Sequence, residues 1–272
     1  MPELPEVETT IKGLQIIKNH YIKKVDIHIK KLRFRIPINI KKLLLNSKIS
    51  NIRRIAKYIV IDLDNYYSLV IHLGMSGRLR ILNSDFSKTK HDHVVIILRD
   101  KKALIYNDPR KFGFVDIVKS NNLNKKKYIL NLGIDALSND LTANYLSNKI
   151  FKSEVPIKQI LLNQKIIAGI GNIYASEILF KAKISPFIPG KSLKPSHIAR
   201  IITSIKQILK QAIKFGGSSI RDYRSADGTL GNFQSNFKVY GKEGQKINGD
   251  IVLKIVQYGR STFYSPKFQN NK

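Results

Sequence analysis

Residues 1–17 read MPELPEVETTIKGLQII, and this stretch predicts an amphipathic helix at the start of the chain. Pro5 suits the first helical turn, and the carboxylates of Glu6 and Glu8 lie favourably near the positive end of the helix dipole. The residues expected to form its buried stripe are Val7, Ile11, Leu14 and Ile17. Glu3 precedes the helix, where capping gives it no role, which leaves a chemical role open.

After this helix, apolar and polar residues alternate with the two-residue period of half-buried antiparallel strands. The alternation covers residues 25–30, 58–63, 69–73, 79–81 and 94–98. From about residue 135 the period becomes helical, which predicts two short helices and a long one, at residues 157–161, 173–182 and 198–209. The chain therefore reads as a β-sandwich followed by a helical domain, with the lysines at 125–127 forming either a linker or a solvated loop.

The chain carries 48 Lys and Arg against 19 Asp and Glu, a formal net charge of +29. This excess indicates a polyanionic partner, because cations that neutralise phosphates release counterions. Lysine outnumbers arginine 36 to 12, a bias that an AT-rich genome also produces, so codon bias and a membrane surface remain alternatives. The absence of cysteine excludes disulfides, thiolate nucleophiles and cysteine-based zinc sites. No apolar run approaches the roughly 20 residues of a membrane-spanning helix.

Pro2 is a candidate nucleophile, because a proline at this position permits removal of Met1 and leaves a secondary amine. An α-amino group has a pKa of about 7.7 to 8.0, against about 10.4 for lysine, so far more of it is neutral near pH 7. Attack on C1′ of a sugar gives an iminium ion, which acidifies the C2′ proton and permits strand scission by elimination. Glu3 or Glu6 could protonate the opening sugar ring. A Met-Pro start without catalytic meaning is the alternative.

Eight blocks of sequence resemble the formamidopyrimidine-DNA glycosylase family, bacterial enzymes that excise oxidised purines. They include NDPRKFG at 107–113 and GIGNIYASE at 169–177. The others keep the family's order at residues 1–9, 53–58, 71–77, 91–93, 216–222 and 260–264. The resemblance implies a bifunctional DNA glycosylase and AP lyase of base excision repair, which removes 8-oxoguanine and formamidopyrimidines by β,δ-elimination. The catalytic residues that it implies are Pro2 as Schiff-base nucleophile, Glu3 and Glu6 for protons at the sugar, Lys57 for β-elimination and Arg260 for δ-elimination.

The same resemblance implies an α+β fold with three domains. Residues 1–130 would form the catalytic domain, an N-terminal helix with an antiparallel β-sandwich. Residues 131–235 would form a helix-two-turn-helix domain, with a loop at 218–234 that closes over the extruded base. Residues 236–272 would form a β-hairpin finger.

The segment GIGN that ends at Asn172 has a clear physical use. Glycines let the backbone approach a ligand, and a helix N-terminus capped by Asn172 makes an anion site, although a plain helix–helix turn would look similar. The resemblance implies that Asn172 and Lys158 hold DNA phosphate and that His91 contacts DNA. At Glu154 the chain departs from the family's basic pattern, and Lys152 is expected to substitute there.

Met75 lies in a Gly-Met-Ser-Gly turn, and Arg110 and Phe112 alternate in a second loop. An enzyme that extrudes a base must fill the hole, usually with an apolar or arginine wedge. The resemblance implies that these three side chains replace the flipped base and that Arg110 faces the orphaned cytosine, whose acceptors suit a guanidinium group. Ordinary packing is the alternative for Phe112.

The C-terminal segment departs from the family, whose members usually carry a four-cysteine zinc finger. Ser265 and Phe268 stand where the second cysteine pair would be. The pair His91 and His93 lacks a third ligand, so we expect no metal and no cofactor. We predict a zincless finger that is held by apolar packing and still presents Arg260. Its flanks alternate like a hairpin, with Ile251, Leu253 and Ile255 on one face and with Ser261 and Phe263 on the returning strand.

The expected partner is double-stranded DNA that contains oxidised purines, bound by a monomer in the cytoplasm, associated with the nucleoid and without a membrane partner. We also expect no targeting segment ahead of residue 1. The endonuclease VIII branch is the nearest rival, and Leu4 together with the wedge residues argues against it. A non-catalytic DNA-binding protein is a second alternative, which a retained Met1 would favour. A basic RNA-binding protein is disfavoured by the ordered motifs.

The purified protein should hold no stoichiometric zinc, because the chain contains no cysteine to bind it. Elemental analysis should find far less than one zinc per chain, and dialysis against EDTA should leave the thermal unfolding temperature unchanged. One tightly bound zinc per chain would contradict this expectation.

Overall fold

The computed structural model describes residues 2–218 and 231–270. The chain divides into two compact units, the first comprising Met1–Leu130 with Phe215–Gln234 and the second Asn131–Lys214 with Ser235–Lys272. The division expected from the sequence, after residues 130 and 235, differs from this grouping. The described residues 215–218 and 231–234 belong to the first unit, and the finger belongs to the unit that contains the helices. Within the described ranges, no helix has the length and hydrophobicity needed to cross a membrane.

Two four-stranded antiparallel sheets build the first unit. The strands are β1 Ile22–Ile27, β2 Ile49–Ile55, β3 Tyr58–Leu63, β4 Tyr67–His72, β5 Arg78–Asn83, β6 Asp92–Leu98, β7 Lys102–Asn107 and β8 Phe114–Lys119. One sheet has the order β2-β3-β4-β8 and the other β1-β6-β7-β5. The helices are α1 Leu4–Leu14, α2 Ile40–Leu44 and α3 Lys127–Leu130, with short 3₁₀ helices at Gln15–Ile17 and Ser120–Lys125. The predicted α+β class and antiparallel sandwich are confirmed.

The N-terminal helix buries the predicted stripe. Val7, Leu14 and Ile17 are fully buried and Ile11 is 5% exposed. They share one hydrophobic core with apolar residues from both sheets. The helix that begins beside Pro2 is therefore packed into the sandwich along its whole length.

The central strands are more buried than the alternating pattern predicts. Val60 and its cross-strand partner Val70 are fully buried, although they point to the opposite side of the sheet from the core residues Ile59 and Ile71. The other sheet has an outer cluster as well, formed by Val95, Ala103 and Ile105 with Phe86 and Ile97 packed against it. The prediction of half-buried strands is wrong here, because continuous apolar runs such as 94–98 are typical of strands covered on both faces.

The second unit contains the predicted helices. They are α4 Ala143–Ile150, α5 Ile157–Leu162, α6 Asn172–Lys181 and α7 Pro195–Lys214, with a 3₁₀ helix at Gly190–Ser192 and short paired strands β9 Ile134–Asp135 and β10 Ile167–Ala168. A further 3₁₀ helix, Phe233–Asn236, lies where the chain passes from the first unit to the second after residue 234. Asn172, expected as a helix cap, is instead the first helical residue, because the extended Gly171 takes the N-cap position. The turns between α5 and α6 form the expected helix-two-turn-helix.

The finger consists of four short strands. They are β11 Lys246–Ile247, β12 Asp250–Ile251, β13 Leu253–Gln257 and β14 Arg260–Tyr264. Tyr258 and Gly259 join β13 to β14 with φ of 50° and 71°, as in a type I′ turn. The C-terminal hairpin is confirmed.

The predicted apolar face of the finger is wrong. Ile251 and Leu253 are exposed, whereas Val252 is fully buried. The strand breaks at Val252, between β12 and β13, and in β13 only Gln257 is buried while Ile255 is half-buried. The small core of the finger comprises Phe180, Val239, Val252 and Phe263, with Tyr240, Ile247 and Phe268 packed against it.

Candidate functional site

The first turn of α1 places two buried carboxylates beside Pro2. Pro2 is buried, and Glu3 and Glu6 are 2% and 1% exposed. Glu3 is the N-cap of the helix, and Glu6 Oε2 accepts its backbone N–H at 2.9 Å in a capping box. The expectation that Glu3 has no capping role is therefore wrong, because the helix already begins at Leu4. Capping fixes the backbone directly after Pro2.

Glu6 also holds the start of the loop predicted to cap the lesion. Its Oε1 accepts the backbone N–H of Ser218 at 2.8 Å and the Ser218 hydroxyl at 3.0 Å. The preceding residue, Gly217, has φ of +76°, and a Cβ there would lie 3.0 Å from the same oxygen. The chain thus approaches the carboxylate where a side chain would crowd it. Residues 219–230 of the predicted loop lie outside the described residues.

One arginine connects α1 to the turn that carries Lys57. Lys57 is 7% exposed and follows Ala56, whose φ of 52° shapes the turn between β2 and β3. Arg54 Nε donates to Glu8 Oε2 on α1 at 2.7 Å, and its Nη1 donates to the Ala56 carbonyl at 3.0 Å. The guanidinium group therefore fixes this turn relative to the helix that begins beside Pro2.

His72 is a site residue that sequence analysis does not single out, although it lies in a matching block. Its Nδ1 accepts the backbone N–H of Gly74 at 3.1 Å, and its ring stacks on Phe114 with centroids 5.7 Å apart. Burial, and then the charges of Lys57 and Arg33, lower the pKa of His72 to about 4. The imidazole is therefore neutral near pH 7, with Lys57 as the leading charge that acts on it.

A buried carboxylate joins the two loops that carry the predicted wedge residues. Asp108 is fully buried, and its Oδ1 accepts the Ser76 hydroxyl at 2.6 Å while its Oδ2 accepts the Gly113 N–H at 2.9 Å. Ser76 Oγ in turn accepts the N–H of Arg110 at 3.1 Å. A Cβ on Gly74 would lie 2.3 Å from the Gly113 nitrogen, so only glycine permits this approach. Asp108 and Ser76 are further residues that sequence analysis did not assign.

The wedge residues project from these anchored loops. Met75 is 40% exposed and Phe112 46% exposed. Arg110 is exposed, with its guanidinium carbon 5.1 Å from the centroid of the Phe112 ring. Ordinary core packing therefore does not account for Phe112. The buried hydrogen bonds of Asp108 and Ser76 hold the backbone of the loops, and the large side chains of the loops remain accessible to solvent.

The two histidines near β6 have different surroundings. His91 is half-buried and His93 is buried, with ring centroids 6.3 Å apart. His93 Nε2 hydrogen-bonds with the Asp108 carbonyl oxygen at 2.9 Å, so this ring supports the second wedge loop. Across residues 2–218 and 231–270 no three His, Cys, Asp or Glu side chains are grouped as metal ligands would be. The DNA contact of His91 stays a prediction.

In the second unit, α5 and α6 both reach the hairpin at the carbonyl of Ser261. Lys158 Nζ and Asn172 Nδ2 each donate to this oxygen at 2.9 Å, and Lys158 Nζ also donates to Thr262 Oγ1 at 2.8 Å. Lys158 is fully buried, so its predicted phosphate contact stays a prediction, and the structure gives it the role of a tether. Arg260, the neighbour of Ser261, is exposed.

The acidic departure at Glu154 is compensated locally. Its carboxylate pairs with the ammonium group of Lys191. Lys152 is exposed, and its ammonium nitrogen lies 5.2 Å from the ring centroid of Phe151. Lys152 is therefore accessible, and its contact with DNA stays a prediction.

Glu177 fixes the chain where it enters the finger. It is 2% exposed and accepts three backbone N–H groups, from Lys238 and Val239 at 2.9 Å and from Tyr240 at 2.8 Å. Burial raises the pKa of Glu177, and these hydrogen bonds oppose the rise. The motif GIGNIYASE thus ends in a carboxylate that positions a segment about 60 residues further on.

Comparisons with known proteins identify the family to which both parts of the chain are similar. Residues 1–115 match the model of the formamidopyrimidine-DNA glycosylase N-terminal domain, and residues 132–224 match that of the formamidopyrimidine-DNA glycosylase H2TH domain. The formamidopyrimidine-DNA glycosylase of Zymomonas mobilis is 45% identical over 97% of each chain. A variant of Lactococcus lactis Fpg, crystallised with DNA containing Fapy-dG, superposes with a TM-score of 0.93 at 35% identity over 99% of this chain and 100% of that one. The Lactococcus lactis Fpg complex with abasic-site DNA gives 0.92 at 34% identity with the same coverage.

The sandwich and the helix-two-turn-helix, together with these matches, define a DNA glycosylase of base excision repair. The matches extend over nearly the whole chain. The chain belongs to the formamidopyrimidine-DNA glycosylase family.

Replacing Asp108 by Asn should lower the free energy of unfolding by about 1–3 kcal/mol, because one of its buried donors loses an acceptor. The exposed Asp85→Asn variant loses the same charge and should change stability by less than about 0.5 kcal/mol. Urea unfolding at neutral pH measures both. Equal effects of the two substitutions would show that Asp108 does not join the loops.

The lowered pKa of His72 makes stability depend on pH. Unfolding lets this histidine take up a proton between its ordinary pKa of 6.5 and its folded pKa of about 4, so stability falls as the pH drops through that range. The complete difference corresponds to roughly 3 kcal/mol. His72→Asn retains an acceptor for Gly74 without titrating, so its stability should fall less than that of the wild type from pH 6.5 to pH 4. If the free energy of unfolding fell equally with pH in the wild type and in His72→Asn, the assignment of this pH dependence to His72 would be refuted.

Proposed function

We propose that this protein is a bifunctional DNA glycosylase and AP lyase that excises oxidised purines from double-stranded DNA through a Schiff base at Pro2. The single observation that carries the proposal is the buried surroundings of Pro2. The residue is buried directly before a capping box of two buried carboxylates. Family membership supports the glycosylase class, and the related Fpg proteins were crystallised with Fapy-dG and abasic-site DNA.

The reaction begins at the Pro2 nitrogen, once Met1 has been removed. The amine attacks C1′, the bond from C1′ to the base breaks, and the base leaves with a proton. Glu3 and Glu6 manage protons at the sugar, with one of them protonating the opening ring, and Glu6 also accepts the Glu3 backbone N–H at 2.9 Å. The iminium ion retains the positive charge and acidifies the C2′ proton.

Elimination then cuts the strand on both sides. Loss of the C2′ proton expels the 3′ phosphate, with Lys57 assisting the proton transfer. A second elimination expels the 5′ phosphate, with Arg260 supporting that phosphate. Water releases the sugar remnant from Pro2 and leaves a gap of one nucleotide. The burial of Lys57 and the turn that Arg54 holds support a fixed position for the ammonium group.

Lesion recognition depends on filling the space that the extruded base leaves. Met75, Arg110 and Phe112 enter the duplex, and Arg110 donates to the acceptors of the orphaned cytosine. Their exposure on loops tied by Asp108 supports this role. The DNA backbone is held by His91, Lys152, Lys158 and Asn172 together with Arg260. We further propose a metal-free, monomeric enzyme of the cytoplasm, associated with the nucleoid.

The test is to trap the covalent intermediate. A duplex with 8-oxoguanine opposite cytosine, mixed with the protein and borohydride, should give an adduct that peptide mapping assigns to residue 2. Pro2→Gln, whose larger side chain keeps Met1 in place, should lose the adduct by at least about 100-fold. The matched control Pro5→Ala should retain it.

The outcomes separate the alternatives. Trapping with an oxidised pyrimidine but not with 8-oxoguanine would move the protein to the endonuclease VIII branch. Failure to trap even a bare abasic site would refute the lyase proposal and leave a DNA-binding protein. An intact mass that retains Met1 would exclude Pro2 as the nucleophile.

A further inference from the structure

The finger does not fit the zinc that its family resemblance implies. The chain has no cysteine, and Ser265 and Phe268 stand at the second ligand pair. The Ser265 hydroxyl already donates a hydrogen bond within the finger, and Phe268 offers a ring that packs on Phe180 with centroids 4.8 Å apart. Neither side chain is a zinc ligand of the usual kind. Another interaction must hold these strands together.

A buried carboxylate occupies this part of the finger. Asp250 in β12 is 7% exposed, and its Oδ2 accepts the Ser265 hydroxyl at 2.6 Å and the Lys267 N–H at 2.7 Å. Its Oδ1 accepts the Ile251 N–H at 2.9 Å, and the Phe268 N–H also bonds to this carboxylate. Burial alone would raise the pKa of Asp250, but these hydrogen bonds hold it below the ordinary value. The carboxylate is therefore charged near neutral pH.

The network reaches beyond the finger into the helical part of the same unit. The Ser265 N–H donates to Gln269 Oε1 at 2.8 Å, and Gln269 Nε2 donates to the Ile184 carbonyl at 2.8 Å. Ser265 is fully buried and Gln269 is 1% exposed. Both side chains are therefore shielded from water. In such an interior a hydrogen bond to a charged group is stronger than in water.

The network joins the residues before and after the hairpin, as a covalent cross-link would. Asp250 and Ser265 lie 15 residues apart and flank both strands of the hairpin. The exposed Arg260 lies between them, directly after the turn. A bond between Asp250 and Ser265 closes the base of the hairpin and limits how far Arg260 can move.

We propose that Asp250 is a positioning residue that replaces the structural zinc, and that its hydrogen bonds to Ser265, Lys267 and Phe268 hold the hairpin so that Arg260 meets DNA phosphate. The inference rests on the proposed function only in taking DNA as the ligand. The finger keeps apolar packing as well, but the polar network supplies the contacts at the base of the hairpin.

The experiment compares two full-length variants that lose one negative charge in the same finger. Asp250→Asn breaks the network, whereas Glu243→Gln removes an exposed carboxylate that pairs with Lys254 at 3.3 Å. The Kd for a duplex with a tetrahydrofuran abasic analogue should rise about tenfold in Asp250→Asn. It should stay level or fall slightly in Glu243→Gln, because losing a negative charge favours DNA. The borohydride-trapping rate at saturating DNA should stay within about twofold in both variants, since the network acts on binding.

Amide hydrogen exchange gives a readout that does not depend on DNA. Exchange in residues 253–264 should accelerate in Asp250→Asn and remain unchanged in Glu243→Gln. Ser265→Ala removes a single hydrogen bond and should shift both readouts in the same direction by a smaller amount. It serves as the deciding variant if Asp250→Asn fails to fold.

Several results would overturn the proposal. Equal Kd values and equal exchange in Asp250→Asn and Glu243→Gln would show that the carboxylate does not position the hairpin. Loss of DNA affinity when EDTA is added to the wild type would show that a metal holds the finger. If the wild type bound no DNA, the proposed function would fail, and the exchange comparison would still decide the role of Asp250.

Discussion

Buried carboxylates that accept N–H and hydroxyl groups from other segments are the interaction on which the functional loops depend. A loop that leaves a sheet or helix has backbone donors without regular partners, and a carboxylate can satisfy several of them at once. In the first unit one such group lies near Pro2 and another joins the two wedge loops. In the second unit one holds the segment that leads into the finger, and another holds the base of the finger's hairpin. These residues are Glu6, Asp108, Glu177 and Asp250.

Periodicity in the sequence predicted the parts of the fold that depend on one face of one element. The stripe from Val7 to Ile17 and the long helix α7 are such cases. Periodicity failed where burial comes from a second layer, as at Val60, and where one residue interrupts a strand, as at Val252. The Met-Pro start alone made Pro2 a candidate nucleophile, whereas the roles expected of Lys57 and Arg260 came only from the resemblance, because a lysine or an arginine carries no periodic signal. Hydrogen bonds such as that between Asp250 and Ser265 join residues that are not neighbours in sequence, so no local sequence pattern predicts them.

The positions of the acidic residues change how the net charge of the protein is interpreted. Only 19 acidic residues oppose 48 basic ones, and several of those acids accept hydrogen bonds inside the protein rather than neutralise lysines at its surface. Fewer of the 19 acidic side chains therefore lie at the surface that a polyanion meets, while all of them count in the net charge. An AT-rich codon bias would explain a preference for lysine over arginine but would not explain where the acids lie in the fold.

The finger has a chemical consequence for an enzyme that would work amid oxidants. Thiolates can be oxidised stepwise to sulfenic and sulfinic acids, and a metal site built from them is lost in the process. A carboxylate bonded to a hydroxyl and to backbone N–H groups undergoes none of this chemistry. In the described part of the chain the oxidisable sulfur is the exposed thioether of Met75. Oxidation of sulfur in the described residues would therefore alter one wedge side chain and leave the hydrogen bonds of the finger intact.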